Sequence, residues 1–191
     1  MSGIVIGVRD LHFAILESDT KEAVTYQAPK LLANAINISI APSTSTNTMY
    51  ASDRAVAIAN SMGVVEVELE IDQLDPAVVS ELLGIERDDK GVLKYTGDIK
   101  APYVSISFRA PLENGGFRYV QLGKGMFNIN EDTYATKGES VEFQTKTISA
   151  QFVTREFDNT WKYEADDNDP LVTDQTIFEN WFTQVYGSTA A

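Results

Sequence analysis

Hydrophobic and polar positions alternate with a period of two along much of this chain, most cleanly from Val65 to Asp72. There Val65, Val67, Leu69 and Ile71 interleave with Glu66, Glu68, Glu70 and Asp72. The pattern predicts a strand with one apolar face on a core and one wholly acidic face. Burying those acids unpaired would cost several kcal/mol each, so their face must meet water or basic partners. Ile36, Ile38 and Ile40 repeat the pattern in a strand from Ala35 to Ile40. Val8 to Leu16 and Val24 to Tyr26 predict an opening hairpin around Ser18-Asp19-Thr20-Lys21. Tyr103 to Ala110 and Phe117 to Leu122 predict a second, reversing through Pro111-Leu112-Glu113-Asn114-Gly115-Gly116, where Asn-Gly favours positive φ. The runs Tyr119 to Leu122 and Val141 to Ile148 are β-branched and aromatic. They flank a connector from Asn128 to Ser140 that carries no residue type typical of a nucleophile or metal site. A connector of that length is expected to contact something.

Other segments follow a helical rule or none. Asp75 as N-cap, Pro76 at the first helical position and Gly84 at the stop predict a short helix after Leu74, with Leu74 and Val79 placed as a hydrophobic staple. Ile177, Phe178, Trp181, Phe182 and Val185 make an apolar stripe that predicts a C-terminal helix over 173–186, capped by Thr173 or Asp174 and packed on a sheet. Residues 41–60 show no usable period and read as a long loop, with a short helical turn through Asp53 to Asn60. The expected fold is a single domain over 1–191, mainly β with one or two short helices, arranged as a β-sandwich or half-barrel.

Composition narrows the function classes. The chain has 191 residues, 43% hydrophobic and 10% aromatic, enough for a proper core without staples. It contains no cysteine, which excludes disulfides, thiolate metal sites and a cysteine nucleophile. Met1 to Asp10 lacks the basic lead and apolar run of a signal peptide, and no apolar run approaches the roughly 20 residues of a membrane helix. A soluble protein is the expectation. With 28 acidic against 15 basic side chains the formal charge is −13. That charge repels phosphates and anionic membranes, so tight nucleic-acid binding is disfavoured.

Candidate chemistry is sparse. The single histidine, His12, sits between Leu11 and Phe13 on a predicted strand and reads as structural. Gly123-Lys124-Gly125 lacks both the third glycine and the βαβ context of a dinucleotide fingerprint. Asp166-Asp167-Asn168-Asp169-Pro170 lacks the glycine and terminal glutamate of a calcium loop and reads as a solvated turn. The best enzymatic candidate is the carboxylate series Glu66, Glu68 and Glu70 on one strand face. Alternate strand residues lie roughly 6.5 to 7 Å apart, close to the inverting glycosidase range of about 6.5 to 9.5 Å. Such a cleft also wants aromatic sugar platforms, whereas the companion positions here are acids. No enzymatic activity, cofactor or metal is expected.

Several segments together resemble the major tail protein family of bacteriophages with long, non-contractile tails. They are Val8-Arg9-Asp10-Leu11-His12-Phe13-Ala14, Tyr50-Ala51-Ser52-Asp53, Glu66-Val67-Glu68-Leu69-Glu70, Ala101-Pro102-Tyr103-Val104 and Thr136-Lys137-Gly138-Glu139-Ser140-Val141-Glu142-Phe143-Gln144-Thr145. The resemblance spans roughly residues 5 to 160 and departs at the end, where many relatives add an immunoglobulin-like domain and a helix-like segment from Thr173 to Tyr186 is expected here instead. It implies a tail tube subunit, synthesised in the host cytoplasm and built into the virion, with six copies per ring and rings stacked around a channel for DNA ejection. The implied partners are further copies of itself, tape measure and tail-tip or terminator proteins, and passing DNA without tight binding; no membrane is involved. On this reading Ser43, Thr44, Thr46, Met49 and Tyr50 of the loop and Tyr134, Lys137 and Glu139 of the connector touch neighbouring subunits or rings. The arm 1–7 braces the stack, and Glu66, Glu68 and Glu70 line the channel. A β-sandwich module binding carbohydrate or a protein partner is the alternative.

Overall fold

The alternation at Val65 to Ile71 is realised in burial: all four apolar side chains are at most 1% exposed, while Glu66 and Glu68 stand in solvent. This stretch is the inner half of β5 (Arg54–Ile71) in a computed structural model that describes residues 3–51, 54–129 and 145–189. An antiparallel sheet runs from β4 (Ala35–Ala51) through β5, β10 (Lys146–Val153), β9 (Phe117–Phe127), β8 (Val104–Pro111) and β1 (Arg9–Asp19) to β2 (Val24–Tyr26). Two more strands share edges. β3 (Lys30–Ala33) lies beside β2 on β1, and β11 (Lys162–Asp166) lies beside β10 on β9. The fold is mainly β with short helices, as expected.

The apolar faces of β1, β3, β5, β8, β9 and β10 meet in one core cluster, to which α1 (Pro76–Leu83) adds Leu82. Because β3 and β5 lie towards opposite ends of the sheet yet share that core, the sheet curls around it. Helix α1 starts as its sequence predicts: the Asp75 carboxylate accepts from the Ala77 amide at 2.7 Å, and Gly84 closes the helix at φ 65°. β6 (Glu86–Arg87) and β7 (Leu93–Lys94) form a small hairpin after it.

The paired glycines belong to packing, not to a nucleotide site. Gly123 and Gly125 lie inside β9, and a Cβ on Gly125 would come within 2.5 Å of the Phe152 ring on the paired strand. Only glycine lets that ring lie flat on the sheet.

Two expectations need correction. Residues 41–60 form no loop and no helical turn; the described residues among them belong to β4 and β5, paired from Pro42–Val65 outward to Ala51–Arg54. Their side chains are exposed on both faces where described, so no period could mark them as a strand. The C-terminal helix is one turn, α2 (Thr176–Glu179), followed by further turns. Asn180 and Thr183 fold their side chains back onto nearby carbonyls, which competes with helix propagation. The predicted stripe still packs inward: Phe178, Trp181 and Val185 are buried, and Phe178 and Trp181 cluster with Tyr119 of β9. Asp174, not Thr173, receives the Thr176 amide.

That C-terminal segment is tied down by groups that no pattern announced. Gln121, fully buried in β9, mimics a strand neighbour by donating from Nε2 to the Tyr186 carbonyl at 3.0 Å and accepting the Tyr186 amide at 2.9 Å. Arg155, 1% exposed, binds Asp158 and the hydroxyls of Tyr26 and Tyr163. Burial works against its charge, but its bonds to Asp158 and Tyr26 prevail and raise its pKa. Nearby, Asp19 accepts from Lys124 Nζ at 2.7 Å and from the amides of Glu156 and Phe157. Burial pushes the Asp19 carboxyl up; these donors outweigh it and hold it below the usual carboxylate range.

Candidate functional site

The strand pairing that buries Val65, Val67, Leu69 and Ile71 also builds a polar surface on the opposite face. Residues directly across a ladder share a face. Glu66 is therefore flanked by Ala41 of β4 and Gln151 of β10, Glu68 by Ser39 and Ser149, and Glu70 by Asn37 and Thr147. Glu66 and Glu68 are exposed and Glu70 is half-buried, accepting a hydrogen bond from Thr145 Oγ1 at 2.9 Å. Among the described residues none of the three glutamates forms an ion pair. Ser39, Glu66, Glu68, Asn128, Ser149 and Gln151 border an open concavity of about 380 Å³. Its size falls in the range of small-ligand sites, but such sites are usually mostly apolar, and this lining is dominated by carboxylates, hydroxyls and amides. Among the described residues no aromatic side chain lines it.

Outward from this surface, β5 loses its second partner. β10 pairs with residues 65–71 of β5, whereas residues 54–64 pair with β4 alone among the described strands. The result is a free two-stranded ribbon. Some nine residues per strand at about 3.3 Å each carry it roughly 30 Å beyond the body. The junction is chemically marked. Pro42, which cannot donate to a ladder, is tolerated because β4 is an edge strand, and the register shifts between Pro42 and Thr44. Ser43 Oγ donates to the Val64 carbonyl at 2.8 Å, and a Cβ on Gly63 would meet that oxygen at 2.5 Å.

At the junction β5 carries one residue more than β4, so its alternation flips: the glutamate face continues outward through Ser61, Ala59 and Ala57, opposite Ser45, Asn47 and Met49, while Met62, Asn60 and Ile58 continue the face that is buried in the body. Thr44, Thr46 and Thr48 stand opposite Met62, Asn60 and Ile58. Ile58 is 67% exposed, and on the other face Met49 is 64% exposed. The structure thus joins one acidic, water-facing surface to one apolar, threonine-edged arm on a single pair of strands.

The sequence-predicted contact residues Ser43, Thr44, Thr46 and Met49 all lie exposed on this arm, and Tyr50 lies near its tip in β4. Tyr134, Lys137 and Glu139 lie outside the described residues. Sequence reading missed Ile58, Met62 and Val64, because the extra β5 residue at the junction and the small exposed residues around them break any continuous period. The acidic turn proves structural, with Asp166 paired to Arg118 and Asp167 accepting the Phe117 amide. His12 lies in β1, with Nδ1 2.8 Å from the Asp10 carbonyl and its ring against Phe182. Among the described residues no group of three or more His, Asp or Glu side chains is placed to hold a metal ion, and no helix is long and apolar enough to cross a membrane. No protein-family model matches the chain, and no curated protein matches it.

Proposed function

We propose that this chain is a tail tube subunit of the kind found in long, non-contractile-tailed bacteriophages: six copies close into a ring, and rings stack into a hollow tube that conducts DNA. The observation that carries the proposal is the free ribbon. A two-stranded hairpin is marginally stable alone in water, and this one exposes Met49, Ile58 and Met62 instead of burying them. Such an arm gains by laying its apolar stripe against another copy, and the outer edge of β4, unpaired among the described strands, offers a ladder for a neighbouring strand. A contact between two different patches closes into a ring by rotation and extends by stacking. The acidic surface suits a water-filled channel. Glu66, Glu68 and Glu70 would repel the phosphates of passing DNA and so keep it from sticking.

Negative-stain electron microscopy with sizing chromatography, from dilute to concentrated protein, tests this reading. Stacked rings with a central hole support it. A monomer at every concentration, with saturable ligand binding at the concavity beside Glu66 and Glu68, would favour a binding module. Shortening the arm by deleting 46–60 and closing it with a tight turn should abolish assembly and leave the thermal unfolding of the body in place. Normal tubes from that variant would remove the arm from the contact.

A further inference from the structure

The turn between β8 and β9 holds the one asparagine in the chain that precedes glycine, Asn114 before Gly115. Both residues are exposed. Gly115 donates its amide to the Leu112 carbonyl at 3.1 Å and adopts φ 88°, so the turn is a short reversal followed by a left-handed glycine. Contrary to the reading of Asn-Gly as a pair of positive angles, only the glycine has one. The Asn114 side chain bends forward, with Oδ1 accepting the Gly116 amide at 3.3 Å. This closure, in which an asparagine bonds the amide two residues on, folds the side chain along the Asn114–Gly115 backbone. Nothing lies within 4 Å of the space a Gly115 Cβ would take, so the turn is open on that side.

The N-terminal arm is docked on this turn. Ile6 donates its amide to the Pro111 carbonyl at 2.9 Å, Glu113 donates to the Ile4 carbonyl at 2.9 Å, and Val5 bridges Leu112. The arm backbone crosses Asn114 so closely that a Cβ on Gly3 would stand 2.8 Å from Asn114 Cγ. Ile4 and Ile6 themselves remain 66% exposed, so the arm is held mainly by these backbone bonds.

We propose that Asn114 is a deamidation site whose product loosens the N-terminal arm. The Gly115 nitrogen attacks Asn114 Cγ and a new C–N bond forms. The bond to the side-chain nitrogen breaks, and ammonia leaves with the amide proton. Water then opens the cyclic imide at either carbonyl, giving aspartate or isoaspartate. Either product adds a negative charge beside Glu113 and within one turn of Asp167, whose carboxylate receives the Phe117 amide. Isoaspartate also inserts a methylene into the turn, which shifts the carbonyl and amide that hold Ile4 and Ile6. This inference is independent of tube assembly.

Peptide mapping of the folded full chain after incubation at mildly alkaline pH tests the chemistry. The peptide containing Asn114 should gain one mass unit and yield isoaspartate, while exposed Asn60, in a strand and followed by Ser61, stays intact. Asn114→Gln, which would need a larger ring, should abolish the gain. An unchanged Asn114 in the folded chain, under conditions where the isolated peptide deamidates, would overturn the site. Hydrogen exchange tests the consequence: aged protein and Asn114→Asp should both lose protection at the Ile6 and Glu113 amides. Full protection in both would overturn the coupling to the arm.

Discussion

From Val65 to Ile71, β5 lies between β4 and β10 over the core; from Arg54 to Val64 it is paired, among the described strands, with β4 alone. The backbone is one extended strand throughout, with an extra β5 residue between Val65 and Met62 that flips the alternation, so Met62 and Ile58 continue the core face and not the glutamate face. What changes is the neighbourhood. The inner half is held by its buried apolar face and by two ladders. The outer half has one ladder and no core, so its fixed geometry within the monomer rests on hydrogen bonds that are worth only about 0.5–1.5 kcal/mol each against water. Stability and contact potential are thereby divided along one strand: the body is stable because it has buried its apolar surface, and the arm can bind because it has not.

The largest effect expected from this division is in the inner half. Leu69→Ala, at a fully buried position, should cost the monomer about 2–5 kcal/mol in chemical denaturation. A cost near zero would mean that β5 is not fastened to the core as described. An intermediate effect is expected at Asp19, whose side chain is 3% exposed in its pair with Lys124. Asp19→Asn should cost about 1–3 kcal/mol near neutral pH. The sign with pH follows from the depressed carboxyl. The stabilisation is complete above the ordinary value of 3.8 and is lost as pH falls from there through the lower folded value, so wild type and variant should converge in acid. A constant gap between the two denaturation series across that range would show that the charge of Asp19 is not what stabilises. The smallest effect belongs to the arm. Ile58→Ala should alter monomer stability by less than about 0.5 kcal/mol while weakening self-association. A large loss of monomer stability would show that the arm is packed after all.

Much of the body was legible because its elements obey local rules. The hairpin strands at Val8 to Leu16 and Val24 to Tyr26, the helix from Pro76 and the strand pair around Asn114-Gly115 all lie where turn and cap residues placed them. The inward packing of Phe178 and Trp181 was legible too, but the length of the helix carrying them was not, since Asn180 and Thr183 divert their bonds locally. The candidate site was half legible. The glutamates announced themselves by alternation, whereas the arm was mistaken for a loop because serine, threonine and alanine exposed on both faces leave no periodic trace.

By itself, then, the sequence determined which faces could be buried. Alternation at Val65 to Asp72 permits one inward face only, and Asp75, Pro76 and Gly84 permit a helix only between them. The tertiary structure alone decided which residues far apart in the chain would meet. Gln121 became the partner of Tyr186, and Arg155 was buried among Tyr26, Asp158 and Tyr163. It also decided that β10 ends its pairing at Val65 and leaves the arm free. The physical reason is range: caps, turns and alternation act within a few residues, whereas the burial of a charge and the length of a ladder depend on strands brought together from across the whole chain.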